Sequence, residues 1–160
     1  METFNVKWSK TIYMSTTLVI LLFIVITIFQ FNTLGLWGLL IILPIILFAL
    51  IYAAYLSPIY LLLTDDIIML KKLIGRKVFW INDIETIELH KLTGSNVRTC
   101  GCGGVLGYTG NYYNKAIGKY ISYVGNYDQT FLITLKTGKR YLLSCQDPEE
   151  FVKTIKAKIK

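Results

Sequence analysis

The chain has 160 residues, 54% of them hydrophobic and 17% charged, with a formal net charge of +7. Soluble domains carry about 25% charged residues, and here the shortfall is concentrated: no Lys, Arg, Asp, Glu or His occurs from Thr11 to Thr64, a run of 54 residues. That pattern excludes a single soluble globule, whose core helices seldom need more than about 14 uninterrupted apolar residues, and it excludes a disordered chain, which would be polar and highly charged.

A helix of that whole run would extend about 80 Å, against a hydrocarbon core of about 30 Å, so the run is expected to cross a bilayer twice. Asn32-Thr33-Leu34-Gly35 supplies turn-prone residues between aliphatic stretches, which places the spans at 11–31 and 36–56. So short a connection makes an antiparallel helical hairpin, because backbone cannot lie unpaired in lipid. Pro44 is expected to kink the second helix and Pro58 to end it. Trp8 and Tyr13, and Tyr52, Tyr55 and Tyr60, suit the interfacial aromatic belts. Lys7 and Lys10 precede the first span, Lys71, Lys72, Arg76 and Lys77 follow the second, and the intervening turn has no base. The expectation is a multi-pass inner (cell) membrane protein with both termini in the cytoplasm. A cleaved signal peptide fits poorly, since its apolar core is shorter and ends at small residues, whereas this one runs into Gln30-Phe31-Asn32. Three cysteines, an odd number, agree weakly with a reducing compartment.

The division is thus residues 1–58, tail and hairpin, and residues 59–160, one small domain. Runs rich in Ile, Leu, Val and Tyr at 59–64, 67–73, 77–81, 86–91, 119–124, 130–136 and 139–144 read as strands. Turn residues separate them, among them Asp65-Asp66, Gly75-Arg76, Asn82-Asp83 and Thr137-Gly138. The stretch from Gly101 to Gly110 reads as a long glycine loop, and the whole as a β-meander. Asp147-Pro148-Glu149-Glu150 then starts a helix, with Asp at the N-cap and Pro at the first helical position. Phe151, Val152, Ile155 and Ile159 form its apolar stripe, expected to plug an open end of a curved sheet.

About seven antiparallel strands and a final helix is the element order of a pleckstrin-homology (PH)-like barrel. The residues also resemble a family: small bacterial membrane proteins in which a helical hairpin precedes a bacterial PH domain. The resemblance rests on the hairpin, on Tyr60–Leu63 followed by Asp65-Asp66, on Gly103-Gly104-Val105-Leu106-Gly107-Tyr108-Thr109-Gly110, on Gly118-Lys119-Tyr120, and on Leu143-Ser144 through Asp147-Pro148-Glu149-Glu150-Phe151. It covers about residues 59–159. It implies an α+β membrane protein, a two-helix transmembrane hairpin followed by a PH-like antiparallel β-barrel with a capping C-terminal helix. It supplies no catalytic residues; Cys100 and Cys102 stand outside its pattern.

No enzyme signature accompanies this layout. The glycine stretch has Leu at position 106 where a GxGxxG cradle needs glycine, and no Gly-Lys-Ser/Thr follows it. Cys100-x-Cys102 is too closely spaced for a usual zinc pair, and only Cys145 and His90 remain to complete a set. His90 has Glu88 nearby but no nucleophile motif. No cofactor, no metal and no nucleic acid is therefore expected. The expected function is a non-enzymatic protein- or peptide-binding or scaffolding module at the membrane, docking a partner at an open sheet edge or at Gly104, Gly107, Tyr108, Tyr112 and Tyr113. After Ser57 there are 15 Lys and Arg against 9 Asp and Glu. The alternative is accordingly an anionic-lipid sensor, with Lys71, Lys72, Arg76 and Lys77 facing lipid; a third reading is a cysteine-based metal or redox protein.

Overall fold

A computed structural model describes residues 2–91 and 96–159. Two helices, α1 (Lys10–Leu34) and α2 (Leu36–Leu56), form an antiparallel hairpin. Ser9 caps α1 by accepting the Ile12 N–H. Gly35 alone makes the break, at φ 59° and ψ −138°, a conformation that a side chain would strain. The first helix thus runs three residues past the expected end at 31, whereas the second span has the expected bounds and continues through Pro44. The helices meet closely at Gly38, where a Cβ would stand 2.9 Å from the Gln30 carbonyl carbon. Both helices are long and apolar enough to cross a bilayer. Their side chains are outward rather than packed into a core: Leu18, Trp37 and Phe48 are 66%, 75% and 74% exposed. Hydroxyls within the apolar stretch are returned to their own helix, as when Thr27 donates to the Phe23 carbonyl.

Among the described residues, ten strands make two sheets. The first, in the order β1-β2-β3-β4, is antiparallel and comprises β1 (Glu2–Asn5), β2 (Pro58–Leu63), β3 (Ile67–Lys72) and β4 (Arg76–Trp80). The second, in the order β5-β9-β10-β8-β7-β6, comprises β5 (Ile84–Leu89), β6 (Asn96–Gly103), β7 (Tyr108–Asn114), β8 (Gly118–Val124), β9 (Thr130–Leu135) and β10 (Arg140–Ser144).

Three features differ from the sequence reading. Residues 2–5, grouped there with the tail, pair as β1 with β2, so the helical hairpin is inserted between two neighbouring strands. The glycine stretch is mostly strand: Gly101 lies opposite Gly110, and a Cβ on Gly101 would stand 2.7 Å from the Gly110 Cα. Glycine there permits a backbone approach that any side chain would block. Finally, the sheet is not an antiparallel meander, because β10 returns between β9 and β8 and pairs with β8 in parallel. The end of that strand is tied in place where Ser144 Oγ accepts the Gly125 N–H at 2.8 Å.

The inward residues of both sheets share one core, built on Leu61, Ile68, Leu70, Phe131, Ile133 and Leu143, all at most 2% exposed. Helix α3 (Pro148–Lys158) closes it with Phe151, Val152 and Ile155. Pro148 starts this helix, but the Asp147 side chain makes no capping hydrogen bond; its carbonyl accepts the Phe151 N–H. Phe151 is wedged between Phe4 of β1 and Phe131 of β9, at centroid distances of 5.0 and 4.9 Å. A second, smaller cluster on the other face of the six-stranded sheet joins Tyr112, Ile117, Tyr120, Val124, Leu132 and Leu142. Phe151→Ala is expected to cost about 3–5 kcal/mol, read as a lower thermal midpoint of the full chain in detergent. A loss below 1 kcal/mol, roughly that of an ordinary surface substitution, would mean that α3 does not close the core.

Candidate functional site

The glycine loop left between β6 and β7, residues 104–107, is where the domain grips the base of the hairpin. Ser15 Oγ donates to the Gly104 carbonyl. Leu106, at φ 54°, donates its N–H to Thr16 Oγ1 (3.1 Å) and accepts Ser57 Oγ–H (2.7 Å) at its carbonyl. Gly104 and Gly107 are buried there: Cβ atoms on them would stand 3.3 Å from Ser15 Oγ and 3.3 Å from Pro58 Cδ. On the other side Trp8 Nε1 donates to the Pro58 carbonyl and the Ser9 N–H to the Gly125 carbonyl. Gly104 and Gly107, expected to face a partner, therefore face the protein itself: Gly104 faces Ser15 of α1, and Gly107 faces Pro58 at the start of β2. Tyr108 is half-buried with its ring 4.4 Å from that of Tyr127.

The remaining candidates part company in the same way. Tyr112 lies opposite Tyr120 across β7–β8, buried, with its ring stacked on Tyr120 and its hydroxyl donated to the Cys102 carbonyl. Tyr112 is thus largely buried, although its ring and that of Tyr120 still line the groove that Tyr113 enters. Tyr113 points to the opposite face and is 43% exposed. It belongs to a groove of about 590 Å³ across β6, β7, β8 and the β9–β10 turn, with Thr99, Asn111, Ile121, Lys119, Lys139 and Arg140 among its walls. Lys119 is directly opposite Tyr113 in the β7–β8 register, and Arg140 is fixed by donating Nη1 to the Ile117 carbonyl. Among the described residues no carboxylate lines this groove, and the one salt bridge, Lys158–Asp65, involves none of its cations. Five residues of extended β7 separate Tyr113 from Tyr108, about 17 Å, so Tyr113 stands well away from the glycine loop, while Thr99 brings to the groove a strand, β6, that also packs against α2. Sequence reasoning missed Lys119, Lys139 and Arg140. The basic residues around Thr137-Gly138 were a signal, but they were read only as flanks of a hairpin.

Of the four bases after the second helix, two turn inward. Lys72 is buried, its Nζ 3.9 Å from the Tyr55 ring centroid and 6.0 Å from that of Tyr123. Lys77 is half-buried with Nζ 5.8 Å from the Tyr141 centroid. A lipid-facing role for this pair is corrected: alternation along β3 and β4 puts both on the core side, where aromatic faces and not phosphates receive the charge. Lys71 and Arg76 are the cross-strand pair on the outer face.

The thiols and His90 are not assembled into a centre. Among the described residues no group of three His, Cys, Asp or Glu is placed to hold a metal ion. His90 is held by its backbone, donating its N–H to the Thr130 carbonyl and accepting the Thr130 hydroxyl at its own. Cys100 is exposed, Cys102 half-buried and Cys145 buried. Burial raises the Cys102 thiol, with Arg98 opposing and Cys100 adding, and burial pushes Cys145 up to about 12. Below its ordinary value of 9.0, Cys145 is neutral whether the chain is folded or not. Between about 9 and 12 the unfolded chain ionises it and the folded chain does not, so folding stability falls as pH rises across that window. Tyr120, pushed by burial from 10.0 to about 12, acts in the same direction. Thermal midpoints of the full chain are expected to fall with pH above about 9, and less steeply in Cys145→Ala. Identical slopes would contradict this linkage.

Comparison with known proteins adds one family. Its profile, described as bacterial PH domain, matches residues 60–159, from within β2 to just past the end of α3. No curated protein and no solved structure matches the chain. With more than half of its length so matched, and two apolar helices preceding the match, the chain belongs to the bacterial PH domain family.

Proposed function

We propose that this chain is an integral membrane protein whose two helices span the bilayer and whose PH domain faces the cytoplasm as a non-enzymatic binding module. Its ligand is an extended, acidic segment of a partner protein. The reading is carried by the groove bearing Tyr113, Lys119, Lys139 and Arg140, which combines an aromatic and aliphatic floor with three cations and no carboxylate. Arg and Lys over such a floor favour a chain with alternating acidic and apolar side chains, the cations steering encounter and the rings providing buried contact. Thr99 brings β6, the outermost strand of its sheet, to the groove wall, and backbone groups at such an edge pair readily with an extended segment.

The fold also supports the membrane topology. Because β1 precedes the hairpin and β2 follows it, their pairing keeps the N-terminal tail and the domain at the same end of the two helices. The Lys and Arg near that end support the cytoplasmic side. The anionic-lipid alternative loses Lys72 to burial, and Lys77 is half-buried beside Tyr141.

A photocrosslinker at position 113 of the full chain, in its own membranes, tests the binding reading. A discrete protein adduct is expected, lost when Lys119→Glu and Lys139→Glu are combined and weakened by salt. An adduct indifferent to charge reversal, or adducts with lipid alone, would overturn it.

A further inference from the structure

The turn between β3 and β4 is packed against the end of α2. The Leu73 N–H donates to the Ser57 carbonyl at 2.9 Å, and a Cβ on Gly75 would stand 3.9 Å from the Tyr55 ring. The turn is closed by the Lys72 N–H donating to the Gly75 carbonyl, with Gly75 at φ 83°. At its tip stand Leu73 and Ile74, 49% and 44% exposed. Two adjacent aliphatic side chains are an unusual choice for a tight turn in water, where Gly, Asn, Asp and Ser dominate. Lys71 and Arg76 flank the tip on the outer face of the sheet.

The surroundings identify the occupant. The domain already reaches along the helices: its glycine loop is bonded to Ser15 and Thr16, and the exposed rings of Tyr13, Tyr52 and Tyr55 girdle the same end. From Thr17 to Leu34, α1 rises about 27 Å, close to one hydrocarbon thickness. The level of Ser15, Thr16 and Tyr55 is therefore the interface. We infer that the Leu73–Ile74 tip is a third membrane contact, inserted into the interface of the bilayer that α1 and α2 cross, with Lys71 and Arg76 at its anionic headgroups. The tip continues the apolar surface of the helices, and its flanking cations match headgroup charge. Two spans fix the domain to the membrane, and this contact holds the β3–β4 end of the first sheet against it.

The inference rests on the spanning reading of α1 and α2, and the test separates the two. An environment-sensitive fluorophore is attached at position 74, 137 or 48 of the full chain, with Cys100 and Cys102 replaced by serine and the buried Cys145 left in place. The protein is reconstituted into mixed phosphatidylcholine–phosphatidylglycerol vesicles carrying shallow or deep doxyl-labelled lipid. Position 48 on α2 should be quenched by the deep label. Position 74 should be quenched several-fold more by the shallow label than position 137, on the distal β9–β10 turn, and protected from aqueous iodide. If position 48 is quenched but 74 behaves as 137 does, the tip lies in water and the inference is wrong while the spans stand. If position 48 is unquenched, the spanning reading fails and the inference falls with it.

Discussion

The pairing of β1 with β2 is the constraint on which the rest of the molecule depends. These strands are antiparallel neighbours in register from Glu2 opposite Leu63 to Asn5 opposite Tyr60, yet the whole helical hairpin lies between them in the chain. A hairpin joined to a domain by one flexible linker would leave that domain free to swing. Here both ends of the hairpin enter the same sheet, and the entry and exit are bonded on the way: Val6 to Ile59, Trp8 to Pro58, Ser9 to Gly125. The β1 strand lies outside the segment matched to the PH family, but Phe4 on it packs against Phe151. The matched domain is thus completed by a strand that precedes the helical hairpin in the chain.

The glycine loop is the second half of the same joint. A polar backbone pressed against helices needs partners for its carbonyl and N–H groups, and Ser15, Thr16 and Ser57 supply them. Side chains on Gly104 and Gly107 would meet those helices and Pro58. The conspicuous glycines are accordingly explained by close approach within the molecule, and the binding surface proposed above is instead the groove where Tyr113 and three cations gather.

Much of this architecture was legible in the residues. The uncharged run located both helices, Gly35 their break, and the Asp147-Pro148-Glu149-Glu150 sequence the start of α3. Strands with dense aliphatic content, such as Phe131-Leu132-Ile133-Thr134-Leu135, were found for the same reason they are buried. What was hidden depends on long-range pairing. Glu2–Asn5 is too short to announce a strand alone, and becomes one because β2 offers it an edge. Asn96–Gly103 lacks β-branched density, and pairs with β7 through a glycine-to-glycine contact that composition cannot display. The inward turn of Lys72 follows from its register with Leu70 and Ile68, which makes a base a core-side residue. The groove draws on four strands and a turn, so its residues are scattered in sequence, and of its lining only Tyr112 and Tyr113 stand out as candidates there.

Because β1 and β2 pair across the hairpin, hairpin and domain are expected to move as one body. Double electron–electron resonance between labels at positions 36 and 137 tests this directly, in nanodiscs, with Cys100 and Cys102 replaced by serine. One narrow distance distribution is expected for the full chain, and a broad one when residues 2–5 are deleted. A broad distribution in the full chain, or no change on deletion, would contradict it.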